Sequence, residues 1–129
     1  RTIPEFAIEI DLKYLNQQGH SIFENEALST EKDVTIYYMQ DNRFTRVYSP
    51  PGTMVTTNTV YVKILRTALN TDPSKNGFCR TILQVKGFEP DTIDATFGQK
   101  KNLTVLDRLV LNGREQHRFG KNQLVTIVK

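Results

Sequence analysis

Apolar and polar residues alternate over short segments along most of the chain. In the first such segment the apolar residues are Phe6, Ile8, Ile10 and Leu12, and Glu9, Asp11 and Lys13 lie between them. A period of two is typical of a β-strand with one buried face and one solvated face. The pattern therefore predicts that the four apolar side chains are buried and that the three charged side chains are exposed.

Further segments have the same β-strand character. They are rich in Val, Ile, Thr, Tyr and Phe, and polar or Gly/Pro-containing stretches separate them. The predicted strands cover residues 34–38, 44–48, 56–65, 78–86, 92–97, 103–111 and 124–128. The segment 78–86 is apolar at both odd and even positions, which indicates a central strand.

Two breaks between strands predict hairpins. The short polar break at residues 40–42 joins the strands 34–38 and 44–48. Asn112-Gly113 is a strong hairpin signal, because both central residues of a type I′ turn need positive φ. The segment 114–119 is then the strand that returns against 103–111.

The pattern as a whole predicts an all-β fold. About eight short strands joined by tight turns favour antiparallel pairing in a two-layer sandwich with immunoglobulin-like, Greek-key connections. The chain has 129 residues, of which 38% are hydrophobic, and this suffices for a single domain covering residues 1–129. No apolar run reaches the roughly 18 residues of a membrane-spanning helix.

Charge is distributed unevenly along the chain. Residues 1–42 contain three basic and eight acidic residues, a balance of −5, whereas residues 43–129 contain fourteen basic and six acidic residues, a balance of +8. A nucleic-acid-binding module that uses the basic C-terminal two-thirds is therefore one alternative function. The best local support for this alternative is the segment 43–48. Arg43 and Arg46, however, occupy an odd and an even position, so a regular strand would place their side chains on opposite faces. We expect a mixed solvated surface and no nucleic-acid partner.

The sequence contains no assembled catalytic motif. A Gly-x-Ser-x-Gly elbow and a Gly-rich phosphate loop are both missing from it. A hydrolase that brings together carboxylates from distant loops remains an alternative, with Asp91, Asp94 and Asp107 as the available acids. We expect these acids to act as turn caps and solvated strand residues, and we expect no enzyme.

Metal ligands are scarce. Asp72-x-Ser74-x-Asn76-Gly77 imitates the first half of a calcium loop, but Leu83 stands where the bidentate acid would be. His20 and His117 are far apart, and only Glu115 lies at a ligand spacing from His117. The sequence predicts an ordinary loop, no metal site and no cofactor.

Cys79 is the one cysteine of the sequence and lies within an apolar run. A single cysteine excludes an intrachain disulfide. The apolar setting predicts a buried, unreactive thiol, because reactive thiols need a cationic and partly exposed environment.

Five segments of strand-and-turn sequence are distinctive when taken together. They are Ile8 to Asn16 followed by Asp33 to Tyr38, and then Asp91 to Phe97, Asn102 to Thr104 and Leu109 to Gly113. In this order, and over about half of the chain, they resemble small exported lipoproteins of Bacteroidetes. The resemblance implies an exported, lipid-anchored β-sandwich of the cell envelope. It supplies no active-site residues.

The leading hypothesis is a non-enzymatic cell-envelope domain with a binding or scaffolding role, whose partner is a glycan or another envelope protein. The chain begins at Arg1. Either a targeting segment has been removed or the chain is a domain cut from a longer protein. The resemblance implies the first, with a signal peptide removed and a lipidated cysteine upstream of Arg1 as the only link to the membrane.

Overall fold

The computed structural model describes residues 8–28, 31–48, 53–57, 62–116 and 124–129. These residues form ten β-strands and three single-turn 3-10 helices, Ile22–Glu24, Glu26–Leu28 and Glu31–Asp33. The strands are β1 (Glu9–Leu15), β2 (Val34–Gln40), β3 (Arg43–Val47), β4 (Met54–Thr57), β5 (Lys63–Ala68), β6 (Cys79–Val85), β7 (Asp91–Lys100), β8 (Leu103–Leu111), β9 (Arg114–Gln116) and β10 (Leu124–Val128). Within the described part of the chain, no helix has the length and apolar character needed to span a bilayer.

The strands form two sheets. The four-stranded sheet has the order β10-β1-β5-β4, and the six-stranded sheet has the order β3-β2-β6-β7-β8-β9. The chain starts in the four-stranded sheet at β1, leaves it for β2 and β3, returns for β4 and β5, forms β6 to β9, and closes with β10. The predicted all-β sandwich is confirmed, and its immunoglobulin-like character stays a prediction.

One hydrophobic core lies between the two sheets. The four-stranded sheet contributes Ile10, Leu12, Tyr14, Leu65, Val125 and Ile127, and the six-stranded sheet contributes Val34, Ile36, Leu83, Val85, Ile93, Ala95, Leu109 and Leu111. Inward-facing residues come from alternate positions of each strand, as a sandwich requires. The 3-10 segment closes one end of the core with Ile22, Phe23 and Leu28.

The predicted burial of β1 is confirmed for its apolar side and wrong for Asp11. Ile8, Ile10 and Leu12 are buried, whereas Phe6 lies outside the described residues. Glu9 is exposed, but Asp11 is buried and Lys13 is half-buried. The reason is that β1 is an inner strand, with β10 on one side and β5 on the other.

The pairing of β1 with β10 is parallel, with Asp11 opposite Leu124 and Leu15 opposite Val128. All other strand pairs in the described part of the chain are antiparallel. The expectation of a wholly antiparallel sandwich is therefore wrong in this one pair. The lengths of the turns could not predict this parallel pair, because most of the sequence lies between the two strands.

The predicted strand 56–65 is also wrong as a single element. It is divided between β4 and β5, which pair antiparallel to each other with Met54 opposite Arg66 and Thr57 opposite Lys63. Residues 58–61, which join the two strands, lie outside the described residues. The run of β-prone residues gave no sign of this reversal.

The central position of β6 is confirmed, since it pairs with β2 on one side and β7 on the other. Its apolar residues at odd and even positions, however, are not equally buried. Cys79, Thr81, Leu83 and Val85 point into the core, whereas Ile82 is half-exposed. The second face of β6 is part of an open sheet surface.

Three hairpins of the six-stranded sheet share one turn geometry. The predicted Asn112-Gly113 turn has φ values of 49° and 82°, and it joins β8 to β9. Asp41-Asn42 and Lys101-Asn102 also have positive φ at both positions. This is the type I′ signature, whose twist matches that of the strands. The returning strand is described over Arg114–Gln116, and residues 117–119 of the predicted strand lie outside the described residues.

Candidate functional site

The outer face of the six-stranded sheet concentrates aromatic side chains. In β2, Val34 and Ile36 are buried in the core, so the alternation places Tyr37 and Met39 on the opposite face. In β3, Val47 packs against the core, which places Phe44 and Arg46 on the outer face. The strand pattern of the sequence thus produces a sheet whose outer side carries aromatic as well as polar residues.

The exposed aromatic side chains of this surface come from β2, from β3 and from the residue that follows β3. Phe44 and Tyr48 are 54% and 76% exposed. The guanidinium carbon of Arg46 lies 4.6 Å from the centroid of the Tyr48 ring, in a cation–π contact. Tyr37 is the register partner of Arg46 and is half-exposed. We refer to Tyr37, Phe44, Arg46 and Tyr48 as the outer aromatic face.

Ion pairs occupy the neighbouring strands on the same side. Arg80 of β6 donates two hydrogen bonds of 2.8 Å to the carboxylate of Asp94, its register partner on β7. This carboxylate raises the pKa of Arg80. Arg108 of β8 also pairs with a carboxylate, that of Glu115 on the adjacent strand β9, and its guanidinium carbon lies 5.2 Å from the centroid of the Phe78 ring.

A depression lies where this side of the sheet meets the loop 70–78. It has two adjoining parts of about 320 and 190 Å³, which share Met39, Asn42 and Ser74. The remaining lining residues are Asp41, Pro73 and Lys75 in one part and Asn76, Phe78, Arg80 and Asp94 in the other. We call it the turn depression, because the Asp41-Asn42 turn forms one wall.

Asn70 fixes the loop that forms the opposite wall. Its side chain is almost completely buried, and its Nδ2 donates to the carbonyl oxygens of Met39 at 2.8 Å and Arg80 at 3.1 Å. Its Oδ1 accepts a hydrogen bond from the backbone N–H of Asp72. A buried amide with these partners holds the loop against both β2 and β6. The sequence analysis did not single out Asn70.

The apparent calcium motif serves this loop. The Oγ of Ser74 donates to the Oδ1 of Asn76, and the same Oδ1 accepts from the backbone N–H of Phe78. The side chain of Asp72 is exposed. Among the described residues, no group of three or more His, Cys, Asp or Glu residues could hold a metal ion. The side-chain oxygens of Ser74 and Asn76 hold the turn closed.

The three candidate catalytic acids have separate surroundings. Asp91 and Asp94 lie on opposite faces of β7, because they are three positions apart in one strand. Asp91 is buried between the sheets, while Asp94 pairs with Arg80 on the outer face. Asp107 is exposed. It has no register partner on β7, because it lies at the irregularity opposite Thr96 and Phe97. Asp91 and Asp94 therefore cannot act in one cleft.

Asp91 belongs to a buried polar cluster that links the two sheets. Lys129, which follows β10, places its Nζ 2.9 Å from Oδ1 and 2.8 Å from Oδ2 of Asp91. The amide of Asn112 donates to Oδ1 at 2.9 Å. Burial and the neighbouring Asp91 carboxylate raise the pKa of Tyr14 of β1. The cluster joins β1 and β10 to β7, so we assign it a structural role.

The structure describes His20, one of the two histidines considered as metal ligands. His20 is exposed in the turn after β1, where its backbone N–H donates to the Oδ1 of Asn16 at 3.0 Å. It lines an open depression of about 420 Å³ beside the 3-10 turns, together with Glu24, Leu28 and Phe88. His117 lies outside the described residues, and Glu115 binds Arg108.

Cys79 is buried at the start of β6, as predicted. Desolvation by burial, with a smaller contribution from the Asp72 carboxylate, raises the pKa of its thiol to about 11. A thiol with this pKa is almost entirely protonated at neutral pH. The side chain faces the core, whereas the turn depression lies on the other side of the sheet.

Arg43 and Arg46 lie on opposite faces of β3, as their parity predicts. Several other basic residues of the C-terminal part pair with acids. Arg66, Arg80 and Arg108 pair with acids of adjacent strands, and Lys129 pairs with Asp91 of the other sheet. The positive balance of residues 43–129 is therefore partly neutralised within the sheets.

Comparison of the chain with models of protein families, with curated proteins and with solved structures finds no match.

Proposed function

We propose that this chain is a non-enzymatic, cell-envelope β-sandwich domain that binds a glycan on the outer aromatic face. The observation that carries the proposal is the exposure of Phe44 and Tyr48 beside Arg46 on the outer side of β3. Isolated exposed apolar residues are common on protein surfaces. Aromatic rings and a guanidinium gathered on one open sheet surface instead suggest a contact surface.

The chemistry of the face suits a sugar chain. The apolar side of a pyranose ring packs against an exposed aromatic ring, and sugar hydroxyl groups both donate and accept hydrogen bonds. Tyr37 and Tyr48 supply hydroxyls that can do the same, and Arg46 supplies only donors. Phe44 lies in β3 and Tyr48 directly follows it, four positions further on, which is a distance of about 13 Å at the usual rise of an antiparallel strand. This spacing suits an extended chain better than a single sugar.

A protein partner is the second candidate, and a different feature favours it. The β7–β8 hairpin extends beyond β6, because the pairing of β6 with β7 stops at Ala95 whereas that of β7 with β8 continues to Lys100. Leu103 and Val105 of this extension are 56% and 36% exposed. Exposed apolar residues on a projecting hairpin are typical of protein–protein contacts.

Glycan-array binding of the intact chain tests the first candidate. We expect Phe44→Ala and Tyr48→Ala to weaken binding by about tenfold each, because stacking contacts are lost. Leu103→Ala removes an exposed apolar side chain from the projecting hairpin and is the matched control, which should leave glycan binding unchanged. Loss of binding only in the Leu103 variant would instead favour the hairpin as the contact surface.

Attachment to the cell envelope is the second part of the proposal. It is supported by the resemblance of the strand and turn segments to exported lipoproteins of Bacteroidetes. The reading frame upstream of Arg1 tests it. We expect a signal peptide ending in a small residue followed by cysteine, and a coding sequence that continues upstream without one would contradict it.

A further inference from the structure

We propose that the turn depression is a subsite for one neutral pyranose unit of the glycan. This inference rests on the proposed glycan binding and names the part of the ligand that the depression takes.

The charges of the lining cancel. Asp41 and Asp94 carry one negative charge each, and Lys75 and Arg80 carry one positive charge each. An anionic ligand would meet the two carboxylates, and a cationic ligand would meet the ammonium and the guanidinium. An uncharged ligand with many hydroxyl groups avoids both penalties, because a hydroxyl can donate to a carboxylate and accept from a cation.

The lining offers donors and acceptors that other protein groups do not use. Among the described residues, the side-chain amide of Asn42 and the ammonium of Lys75 have no hydrogen-bond partner. Arg80 uses Nε and Nη2 for Asp94, which leaves its Nη1 protons for a ligand. Pairs of neighbouring hydroxyls on a sugar ring match such closely spaced groups.

Apolar groups lie among these polar ones. Met39 lines both parts of the depression, and Phe78 lines the part that holds Arg80 and Asp94. Both side chains are half-exposed. A pyranose ring has polar edges and less polar faces, so it can contact both kinds of group at once.

The position of the depression connects it to the outer aromatic face. Met39 is the register partner of Phe44. Tyr37 lies two residues before Met39 in β2, opposite Arg46. A sugar held beside Met39 is therefore next to Phe44. A chain extending from it along β3 would reach Arg46 and Tyr48.

Asn42→Gly tests the subsite without disturbing the turn. Asn42 has a φ of 62°, which glycine adopts without strain, so the substitution removes the amide and keeps the backbone. Asn102→Gly is a matched control, because Asn102 is the second residue of the β7–β8 turn with a φ of 67° and does not line the depression.

The measurement is a titration of the intact ¹⁵N-labelled protein with neutral oligosaccharides of glucose, mannose, galactose or N-acetylglucosamine, and with uronic-acid oligosaccharides. We expect amide shifts in residues 39–42 and 74–80 for a neutral sugar. Affinity should fall about three- to tenfold in Asn42→Gly, as expected for one or two lost hydrogen bonds, and should be unchanged in Asn102→Gly. High salt should leave the affinity for this sugar unchanged.

Two outcomes would overturn the subsite while leaving the proposed function in place. One is binding that depends on Phe44 and Tyr48 but is the same in wild type and Asn42→Gly. The other is binding of uronic-acid oligosaccharides alone, with a steep salt dependence. If no oligosaccharide of the panel shifts any amide, both the subsite and glycan binding are wrong.

Discussion

Arg66 of β5 lies directly opposite Asp11 of β1 and holds its carboxylate with two hydrogen bonds, from Nε to Oδ1 at 2.7 Å and from Nη2 to Oδ2 at 3.0 Å. The pair joins the acidic N-terminal part of the sequence to its basic remainder. It also explains how a carboxylate remains on an inner strand, because the bidentate guanidinium replaces the lost water. The same carboxylate raises the pKa of Arg66.

Arg66→Ala should destabilise the protein. The substitution leaves the buried Asp11 carboxylate without its guanidinium, and we expect the free energy of unfolding to fall by about 1–3 kcal/mol. Urea denaturation measures this change. Lys100→Ala, at an exposed strand end, is the control and should change stability by less than about 0.5 kcal/mol. Equal stability of the two variants would show that the pair contributes nothing.

The Asp11 result shows what alternation can and cannot predict. The period of two correctly separates Ile10 and Leu12 from their charged neighbours. It does not show whether the polar face of a strand meets water, because that depends on which strands lie beside it. Here β10 comes from the far end of the sequence, and only the folded chain brings it next to β1.

Gly113→Val should destabilise the β8–β9 hairpin. Gly113 has a φ of 82°, and a β-branched residue in this region is strained by about 1–3 kcal/mol. Gly98→Val is the matched control. Gly98 lies within β7 without a positive φ, and a Cβ added there would meet no neighbouring atom. Thermal unfolding should show a lower midpoint for Gly113→Val and little change for Gly98→Val. The turn assignment would be wrong if both variants behaved alike.

Cys79 should react slowly with thiol reagents in the folded protein. Its side chain is buried, and its pKa of about 11 leaves little thiolate at neutral pH. A chromogenic disulfide reagent should label it only at the rate of local or global opening, and labelling should become fast in denaturant. Stoichiometric labelling within seconds under native conditions would contradict the burial.

The unfolding free energy should decrease at alkaline pH through Tyr38. Its hydroxyl donates to the carbonyl oxygen of Ala68 across the core at 2.7 Å, and burial raises its pKa to about 12. Between about pH 10 and pH 12 the unfolded chain loses this proton while the folded chain keeps it. The stabilisation that the protonated Tyr38 hydroxyl gives to the folded state is therefore complete below pH 10, and it is lost as the pH rises towards 12.

Tyr38→Phe isolates this effect. It should lower stability at neutral pH by about 1 kcal/mol, because the hydrogen bond is lost, and it should make the decline above pH 10 shallower. Tyr37→Phe removes a hydroxyl from the opposite face of the same strand and serves as the comparison. Parallel alkaline curves for wild type and Tyr38→Phe would exclude Tyr38 as the titrating group.

The candidate site was less accessible to sequence analysis than the fold. Parity within β3 already places Phe44 and Arg46 on one face, and the sequence contains that signal. The turn depression, however, depends on Asn70, whose amide joins a loop to two strands through backbone carbonyls. Contacts of a side chain with distant backbone atoms have no period or motif, so they could not be anticipated.

The parallel pair of β1 and β10 has a consequence for the order in which the fold can form. Asp11 and its partner Leu124 are separated by 113 positions, so β1 leaves the ribosome about 6–23 s before its neighbour at ordinary rates of synthesis. During that interval one edge of β1 has no native strand to pair with. Contacts this distant in sequence also slow folding through the entropy of loop closure. During synthesis the four-stranded sheet can therefore be completed only after β10 has emerged, and a factor that shields β1 until then would protect an unpaired strand edge from misassembly.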